Sequence, residues 1–255
     1  MIEGQAAWFW AITAAMAIGA AKTGLPGLGI LVVALMARAI PGRQSVGVVL
    51  PLLIIADCCA VAWFRRHARW DLLLRLFSWV GLGLMIGGLL LWLLGGDERA
   101  DQWFRPLLGI IVLIMIGLHL AQLRYGERLR PHSRLGCAAT GCCTGIATTL
   151  ANAAGPVMSV YLAGQKVDKQ QFLGTMAWFF LLLNLSKMPI FLAISWMHPD
   201  QPMISSASLR LNLVLLPGVL AGVLIGRFLL YRLPRQVFFA AVIILAGIAA
   251  LSLLW

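Results

Sequence analysis

Apolar residues fill this chain in long runs that are separated by short polar or basic segments. A transmembrane α-helix needs about 20 apolar residues to cross a hydrocarbon core of roughly 30 Å. Six runs reach that length, and each is predicted to be a membrane-spanning helix: 46–64, 72–94, 104–123, 172–196, 209–230 and 237–255. The pattern therefore indicates an all-α, polytopic membrane protein.

Two further apolar runs are interrupted by glycine, proline and polar residues. Run 6–38 is broken at AKTGLPGLG (21–29), and run 135–165 is broken at NAAGP (152–156). The arm after each break has about ten residues, which as an α-helix reach about 15 Å, half of the core. Unpaired backbone cannot face lipid, so each break is expected to face protein or a water-filled cavity. Breaks at corresponding places in two halves are typical of a transporter's binding site.

The basic residues decide between two ways of folding the interrupted runs. If each run is a hairpin, eleven Lys and Arg residues lie on one side of the membrane and four on the other; if each is one broken span, the counts are seven and eight. Cytoplasmic loops are enriched in Lys and Arg, so the hairpin model is favoured, with both termini and the acidic loop 97–101 outside. The eleven are Arg65, Arg66, Arg69, Arg124, Arg128, Arg130, Arg134, Lys166, Lys169, Arg232 and Arg235, and the four are Arg38, Arg43, Arg99 and Arg105.

With hairpins, each half has an odd number of spans and the second half is inverted relative to the first. The predicted repeats are 1–130, with hairpin 6–38 and the first three spans, and 131–255, with hairpin 135–165 and the last three. Chance is the alternative explanation for the residue spacings that the halves share. The spacing from Lys22 to Pro26 equals that from Asn152 to Pro156, the spacing from Gln44 to Asp57 equals that from Gln171 to Asn184, and the spacing from Arg75 to Gly83 equals that from Arg210 to Gly218.

Composition agrees with a membrane protein and excludes several other classes. Of the 255 residues, 61% are hydrophobic and only 11% are charged, unlike a soluble domain. The net charge of +11 comes from residues between apolar runs, with no basic patch among aromatics, so no nucleic acid is expected as a partner. No GxxxxGK[ST] loop is present, which argues against direct ATP use. The five cysteines form no CxxC pair, so we expect neither disulfides nor a metal or other cofactor.

Several motifs resemble the sulfite exporter TauE/SafE family of membrane permeases. They are the break from Gly24 to Gly29, PGRQS at 41–45, and GPVMSVYL at 155–162 followed by 172–187. The resemblance covers nearly the whole chain and implies a duplicated bundle that moves small anions, often sulfite or organosulfonates, and in several members exports them. One departure is the first break, which reads GLPG at 24–27 where the family more often runs glycines together.

Three charged residues lie well inside apolar sequence: Lys22, Asp57 and Lys187. A charge at the bilayer centre costs roughly 3 kcal/mol on insertion scales, so each is a candidate for a functional site. The alternative for Lys22 is that it snorkels or pairs with Asp57 without touching substrate. Asp57 and Asn184 occupy matched positions, and Asp57 is either the carrier of a coupling proton or a fixed counter-ion.

The two breaks are also predicted to open helices. Pro26 and Pro156 suit the first turn of a helix, where a missing N–H costs nothing. The N-termini of these helices would then present N–H groups and a positive dipole end to an anion near mid-membrane. The predicted substrate-binding residues are Lys22, Thr23, Gly24, Pro26, Gly27, Asn152, Gly155, Pro156 and Lys187. Secondary candidates are Gln44, Gln171, Thr148, Thr149 and Ser159, for which helix packing or capping is the alternative.

These features predict a secondary transporter and not an enzyme. We expect it to move a small oxyanion, sulfite or a small organosulfonate, across the cytoplasmic (inner) membrane by alternating access, as an exporter, with a proton as the candidate coupling ion. One alternative is a thiol-redox or electron-transfer protein that uses the pairs Cys58-Cys59 and Cys142-Cys143. A second is a passive anion channel. The expected partners are a small anion and the lipid bilayer, with no prediction for the oligomeric state.

Overall fold

The computed structural model describes residues 4–23, 28–40, 44–93, 98–125, 134–163, 165, 167–232, 244 and 251. Within these ranges the longer elements are all α-helices and no strand occurs, which confirms the all-α prediction. The helices are α1 (Gln5–Thr23), α2 (Leu28–Ala39), α3 (Gln44–Phe64), α4 (Trp70–Leu93), α5 (Glu98–Tyr125), α6 (Arg134–Ala151), α7 (Gly155–Ala163), α8 (Lys169–Met197) and α9 (Ser206–Arg232). A 3₁₀ turn at Arg65–His67 follows α3.

Four of the described helices are long and apolar enough to cross a membrane: Gln44–His67, Trp70–Leu93, Gln170–Met197 and Ser206–Phe228. They correspond to four of the six predicted spans and confirm a polytopic membrane protein. The predicted span 104–123 lies inside α5, whose apolar stretch Gly109–Leu118 is shorter. The predicted span 237–255 falls outside the described residues except for 244 and 251.

One expected loop is helical. The acidic segment 97–101 was expected to connect two spans, but α5 begins at Glu98. This part of the prediction is therefore wrong. Acidic residues are favourable in the first turn of a helix because of its positive dipole end, so an acidic stretch of sequence is as compatible with a helix start as with a polar loop.

The break between α6 and α7 lies where the sequence predicts it, while residues 24–27 of the first predicted break lie outside the described residues. Helix α1 ends at Thr23 and α2 begins at Leu28, while α6 ends at Ala151 and α7 begins at Gly155. At 1.5 Å per residue the 19 residues of α1 reach about 28 Å, whereas the nine of α7 reach about 14 Å, half of a bilayer core. Asn152 adopts a left-handed backbone conformation with φ of 51°, which terminates α6.

Helix packing pairs elements from the two halves of the chain. Helix α1 packs along α9, α6 packs along α4, and α3 packs against α8 in the centre. In the predicted repeats α1 corresponds to α6, α4 to α9 and α3 to α8. The contact of α1 with α9 therefore corresponds to that of α6 with α4, and α3 contacts its own counterpart, α8. The inverted orientation of the halves stays a prediction that this pairing supports.

Glycines make two of these contacts close. A Cβ on Gly83 of α4 would collide with the carbonyl oxygen of Cys142 in α6, and a Cβ on Gly222 of α9 would collide with that of Met16 in α1. Small residues allow membrane helices to approach at backbone distance, where van der Waals contact stabilises their association. The outward faces of α4 and α9 carry exposed Leu74, Met85 and Leu213, as lipid contact requires.

Substitution of these glycines tests the close contacts. Gly83→Ala should destabilise the protein by about 1–3 kcal/mol, because the new methyl group has no room against α6. Gly81→Ala in the same helix is the matched control, since an added Cβ there meets nothing within 4 Å. Thermal unfolding in detergent should show a lower Tm for Gly83→Ala alone. Equal Tm values would contradict the close packing of α4 on α6.

Candidate functional site

A cavity of about 70 Å³ lies where α1, α2, α3, α8 and the α6–α7 break meet. A single water needs about 10–15 Å³ by this kind of measure, so the cavity has room for a small ligand of a few heavy atoms. Its polar lining consists of Lys22, Asp57 and Asn152. Most of the remaining wall is apolar, including Ile18, Val32, Leu53, Met176 and Phe180.

Two helix N-termini border this cavity. Gly29 is the second residue of α2 and Gly155 is the first residue of α7, and both line it. A Cβ added at either glycine would meet nothing within 4 Å, so the backbone there faces open space. The first turn of a helix has N–H groups without intrahelical partners, and these favour an anion.

The charged centre of the site is an ion pair between α1 and α3. Lys22 Nζ lies 2.9 Å from Asp57 Oδ1, with side-chain exposures of 11% and 0%. The ammonium also lies 3.8 Å from the centroid of the Phe180 ring, a cation–π contact. The other carboxylate oxygen, Asp57 Oδ2, accepts a 2.6 Å hydrogen bond from Asn184 Nδ2. Lys22 therefore pairs with Asp57, as one of the two sequence-based interpretations expected, and both residues line the cavity.

Asn184 and Asp57 are the two residues that the shared spacings matched, and they are in direct contact at the α3–α8 interface. Both are buried. Asn184 does not line the cavity, so its contact with the site is through the carboxylate that it helps to hold.

Lys187 lies behind Asn152 and not on the cavity wall. Its side chain is fully buried, and Nζ donates to the carbonyl oxygen of Thr148 at 3.2 Å, to Thr148 Oγ1 at 3.0 Å and to Asn152 Oδ1. Within the described residues no carboxylate lies within ion-pair distance of Lys187. Lys187 was predicted to bind substrate because it is a charged residue within apolar sequence. Neither property reveals which residues its side chain contacts in the fold.

Asn152 separates the cavity from a smaller one. Its Nδ2 donates to the carbonyl oxygen of Val46 at 2.9 Å. The smaller cavity, of about 10 Å³, lies against the first turns of α3, where Ser45, Val46 and Val49 line it together with Asn152. The larger cavity contacts α3 further along, at Leu53, Asp57 and Ala60.

The predicted hydroxyl donors mostly serve helix packing. Thr23 Oγ1 lies 3.0 Å from the carbonyl oxygen of Gly19 and 2.9 Å from that of Val223, and Thr149 Oγ1 donates to the carbonyl oxygen of Gly145 at 2.8 Å. Ser159 is buried in α7. None of these three lines the larger cavity as described.

The remaining candidates lie at helix starts or outside the description. Gln44 begins α3, and the backbone N–H of Gln171 donates to the capping side chain of Asp168 at 2.8 Å. Neither glutamine lines the cavity as described. Pro156 is the second residue of α7, in the first turn where proline suits a helix. Gly24, Pro26 and Gly27 lie outside the described residues.

Sequence reasoning missed the apolar half of the site. Phe180 stands one helical turn before Asn184 on α8, and that i, i+4 spacing was the available signal that it shares a face with a functional candidate. Gly29 was part of the first break, but was not proposed as a ligand-facing position. Apolar lining residues carry no chemical signature, so their place on the wall follows only from packing.

The cysteines form no site of their own. All five are free, and none lines the cavity as described: Cys58, Cys59, Cys137, Cys142 and Cys143. In the described part of the chain no group of three or more His, Cys, Asp or Glu side chains could hold a metal ion.

The geometry of the site brings a lysine, a carboxylate, an amide and two helix N-termini to one small cavity.

Comparison with known proteins yields one match. The family model described as Sulfite exporter TauE/SafE matches residues 11–253, which confirms the resemblance seen in the sequence. No curated protein and no solved structure matches the chain.

The buried ion pair can be tested by a double-mutant cycle. Lys22→Met or Asp57→Leu alone should each destabilise the fold by about 3–5 kcal/mol, because a buried charge is left without its partner. The double variant should recover part of that loss. The exposed pair Arg69 and Asp71, 2.8 Å apart, is the control and should show little coupling. Additive losses at Lys22 and Asp57 in detergent unfolding would contradict a direct interaction.

Proposed function

We propose a function from one premise: the chain belongs to the sulfite exporter TauE/SafE family. The protein is a secondary permease for a small oxyanion, with sulfite or a small organosulfonate as substrate, and it works as an exporter in the cytoplasmic membrane. It is a transporter and not an enzyme. The observation that carries the proposal is the small cavity that Lys22, Asn152 and two helix N-termini border.

In the proposed binding step, the oxyanion head lies between Lys22 and the first turns of α2 and α7. The ammonium supplies charge, while Asn152 and the helix starts supply N–H donors. The apolar wall around Phe180 suits the organic part of a sulfonate and keeps water from screening the charges. A bound anion competes with Asp57 for Lys22, so binding loosens the pair that joins α1 to α3.

Alternating access is supported by the two cavities on either side of Asn152. In the proposed topology the basic loop 65–69 after α3 is cytoplasmic and both termini are outside. The larger cavity contacts the later turns of α3, towards that loop, and the smaller one contacts the first turns. In this proposal the larger cavity gives access to the cytoplasm, and access to the outside would require the smaller one to widen. The exchange of partners between the halves supports an inverted repeat, whose rocking would reverse that access.

Asp57 has two proposed roles, which the structure supports equally. It carries a coupling proton if its protonation releases Lys22 to the substrate, and it is a fixed counter-ion if it stays charged throughout. Both use the same contacts to Lys22 and Asn184. A passive channel would need an open path past Asn152. In the described residues, Asn152 Nδ2 instead donates a hydrogen bond to the carbonyl oxygen of Val46.

Lys22→Gln should weaken anion binding while the protein stays folded, because Gln, unlike Met, keeps an N–H that can donate to Asp57. Loss of one charge-assisted contact of about 1.5–3 kcal/mol corresponds to roughly a 10- to 100-fold rise in Kd. Binding of sulfite, sulfate, thiosulfate, sulfonates and carboxylates to purified protein measures this. Arg38→Gln is the control, because it removes the same charge from an exposed position at the end of α2. Unchanged Kd values for Lys22→Gln would remove its proposed role.

Asp57→Asn separates the two roles of the carboxylate. If Asp57 carries the coupling proton, this variant should lose the pH dependence of transport in proteoliposomes, because an amide cannot exchange that proton. Asp200→Asn, at an exposed loop position, is the control and should keep wild-type behaviour. Transport by Asp57→Asn that still responds to pH as the wild type does would leave only the counter-ion role.

A further inference from the structure

Lys187 is a buried ammonium whose hydrogen bonds all go to one place, the end of α6. Two go to Thr148 and the third goes to Asn152, residues that precede it by 39 and 35 positions. Thr148 is in the last turn of α6, where the negative dipole end of the helix favours a cation. The ammonium thus holds the residues on which the second break depends.

This contact fixes the orientation of the Asn152 carboxamide. Lys187 has only donors, so the group that faces it must be the acceptor Oδ1. The opposite group then faces the carbonyl oxygen of Val46, which has only acceptors, and Nδ2 donates to it. A flipped amide would set donor against donor at Lys187 and acceptor against acceptor at Val46. Both contacts therefore require the same orientation.

The fixed orientation decides what Asn152 offers to the cavity. Its Oδ1 is held by Lys187, and one hydrogen of Nδ2 is used by Val46. The donor that remains on this side chain is the second N–H of Nδ2, on a residue that lines the cavity, while Oδ1 faces Lys187. A donor favours an anion and disfavours a cation. An amide that could turn freely would present either group.

We propose that Lys187 is a positioning residue that makes Asn152 an anion-specific donor, and that it does not itself touch the substrate. The inference rests on the proposed function, because it assumes that an anion enters the cavity. It differs from the sequence-based assignment of Lys187 to the substrate-binding set. The fully buried side chain and its place behind Asn152 carry the distinction.

A double-mutant cycle on binding separates positioning from a direct charge effect. Purified wild type, Lys187→Met, Asn152→Ala and the double variant are titrated with sulfite in anaerobic buffer, and Tm is measured in parallel. Positioning predicts that Lys187→Met raises Kd at least about tenfold in the wild-type background. In the Asn152→Ala background the same change should alter Kd less than about twofold, because no amide is left to orient.

Each other outcome of the cycle overturns the inference. Equal rises of Kd in both backgrounds mean that Lys187 acts through its charge and not through Asn152. A lower Tm with unchanged Kd means that it serves stability alone. If Lys187→Met fails to fold, it is replaced by Lys187→Gln, which keeps an N–H donor for Asn152. Lys187→Gln should bind sulfite more tightly than Asn152→Ala does. Equal loss of affinity in these two variants would contradict positioning.

The same titration distinguishes this inference from the proposed function. If wild type does not bind sulfite, sulfite transport fails as the function. If wild type binds, and Lys22→Gln weakens binding while Lys187→Met does not, the permease proposal stands and the role of Lys187 falls. Asn152→Asp gives an independent check, since it keeps acceptors for Lys187 but has no N–H; sulfite binding as tight as wild type would contradict the donor role.

Discussion

A membrane protein can keep charged side chains in its core only if each charge is compensated by its neighbours. The described core contains three: Lys22, Asp57 and Lys187, all at or near full burial. Removing such a charge from water costs several kcal/mol, so every one must find hydrogen bonds or an opposite charge. The contacts that compensate these charges join α1 to α3, α3 to α8 and α8 to the end of α6, and the cavity lies beside them.

The compensating contacts connect the two halves of the chain. Lys22 of α1 pairs with Asp57 of α3, and Asp57 accepts a hydrogen bond from Asn184 of α8. From α8, Lys187 bonds the end of α6, and Asn152 at that end bonds the backbone of α3. The polar side chains thus form two connected chains of contacts that meet on α3 and α8, the central pair of helices. These contacts therefore join helices from both halves of the chain.

Glycine and proline allow this polar centre to exist inside an apolar bundle. Close approach at Gly83 brings α6 against α4, and close approach at Gly222 brings α1 against α9. Helix α1 ends at Thr23 and α6 ends at Ala151, and the helices that follow, α2 and α7, start beside the cavity. Backbone N–H groups that lipid would leave unpaired are thereby turned towards a space where an anion can bind them.

The sequence by itself determined the elements and the kinds of chemistry. The lengths of the apolar runs indicated membrane helices, and glycine and proline predicted the two breaks. Lys22, Asp57 and Lys187 were candidates for a functional site because each is a charged residue within apolar sequence. These are local properties, because helix length, helix interruption and the cost of a buried charge depend on a residue and its near neighbours along the chain. The acidic segment at Glu98 was misassigned for the same reason, since its local signal fits a loop and a helix start equally well.

Only the tertiary structure decided which of these residues meet. It placed Asn184 on Asp57, put Phe180 against Lys22 and set Lys187 behind Asn152 instead of in the cavity. It also assigned Thr23 and Thr149 to contacts with backbone carbonyls. Such choices depend on the rotation and depth of each helix against its neighbours, which arise from the packing of many apolar side chains together. No short stretch of sequence records that sum, so the identity of a partner more than a hundred residues away is a property of the folded bundle.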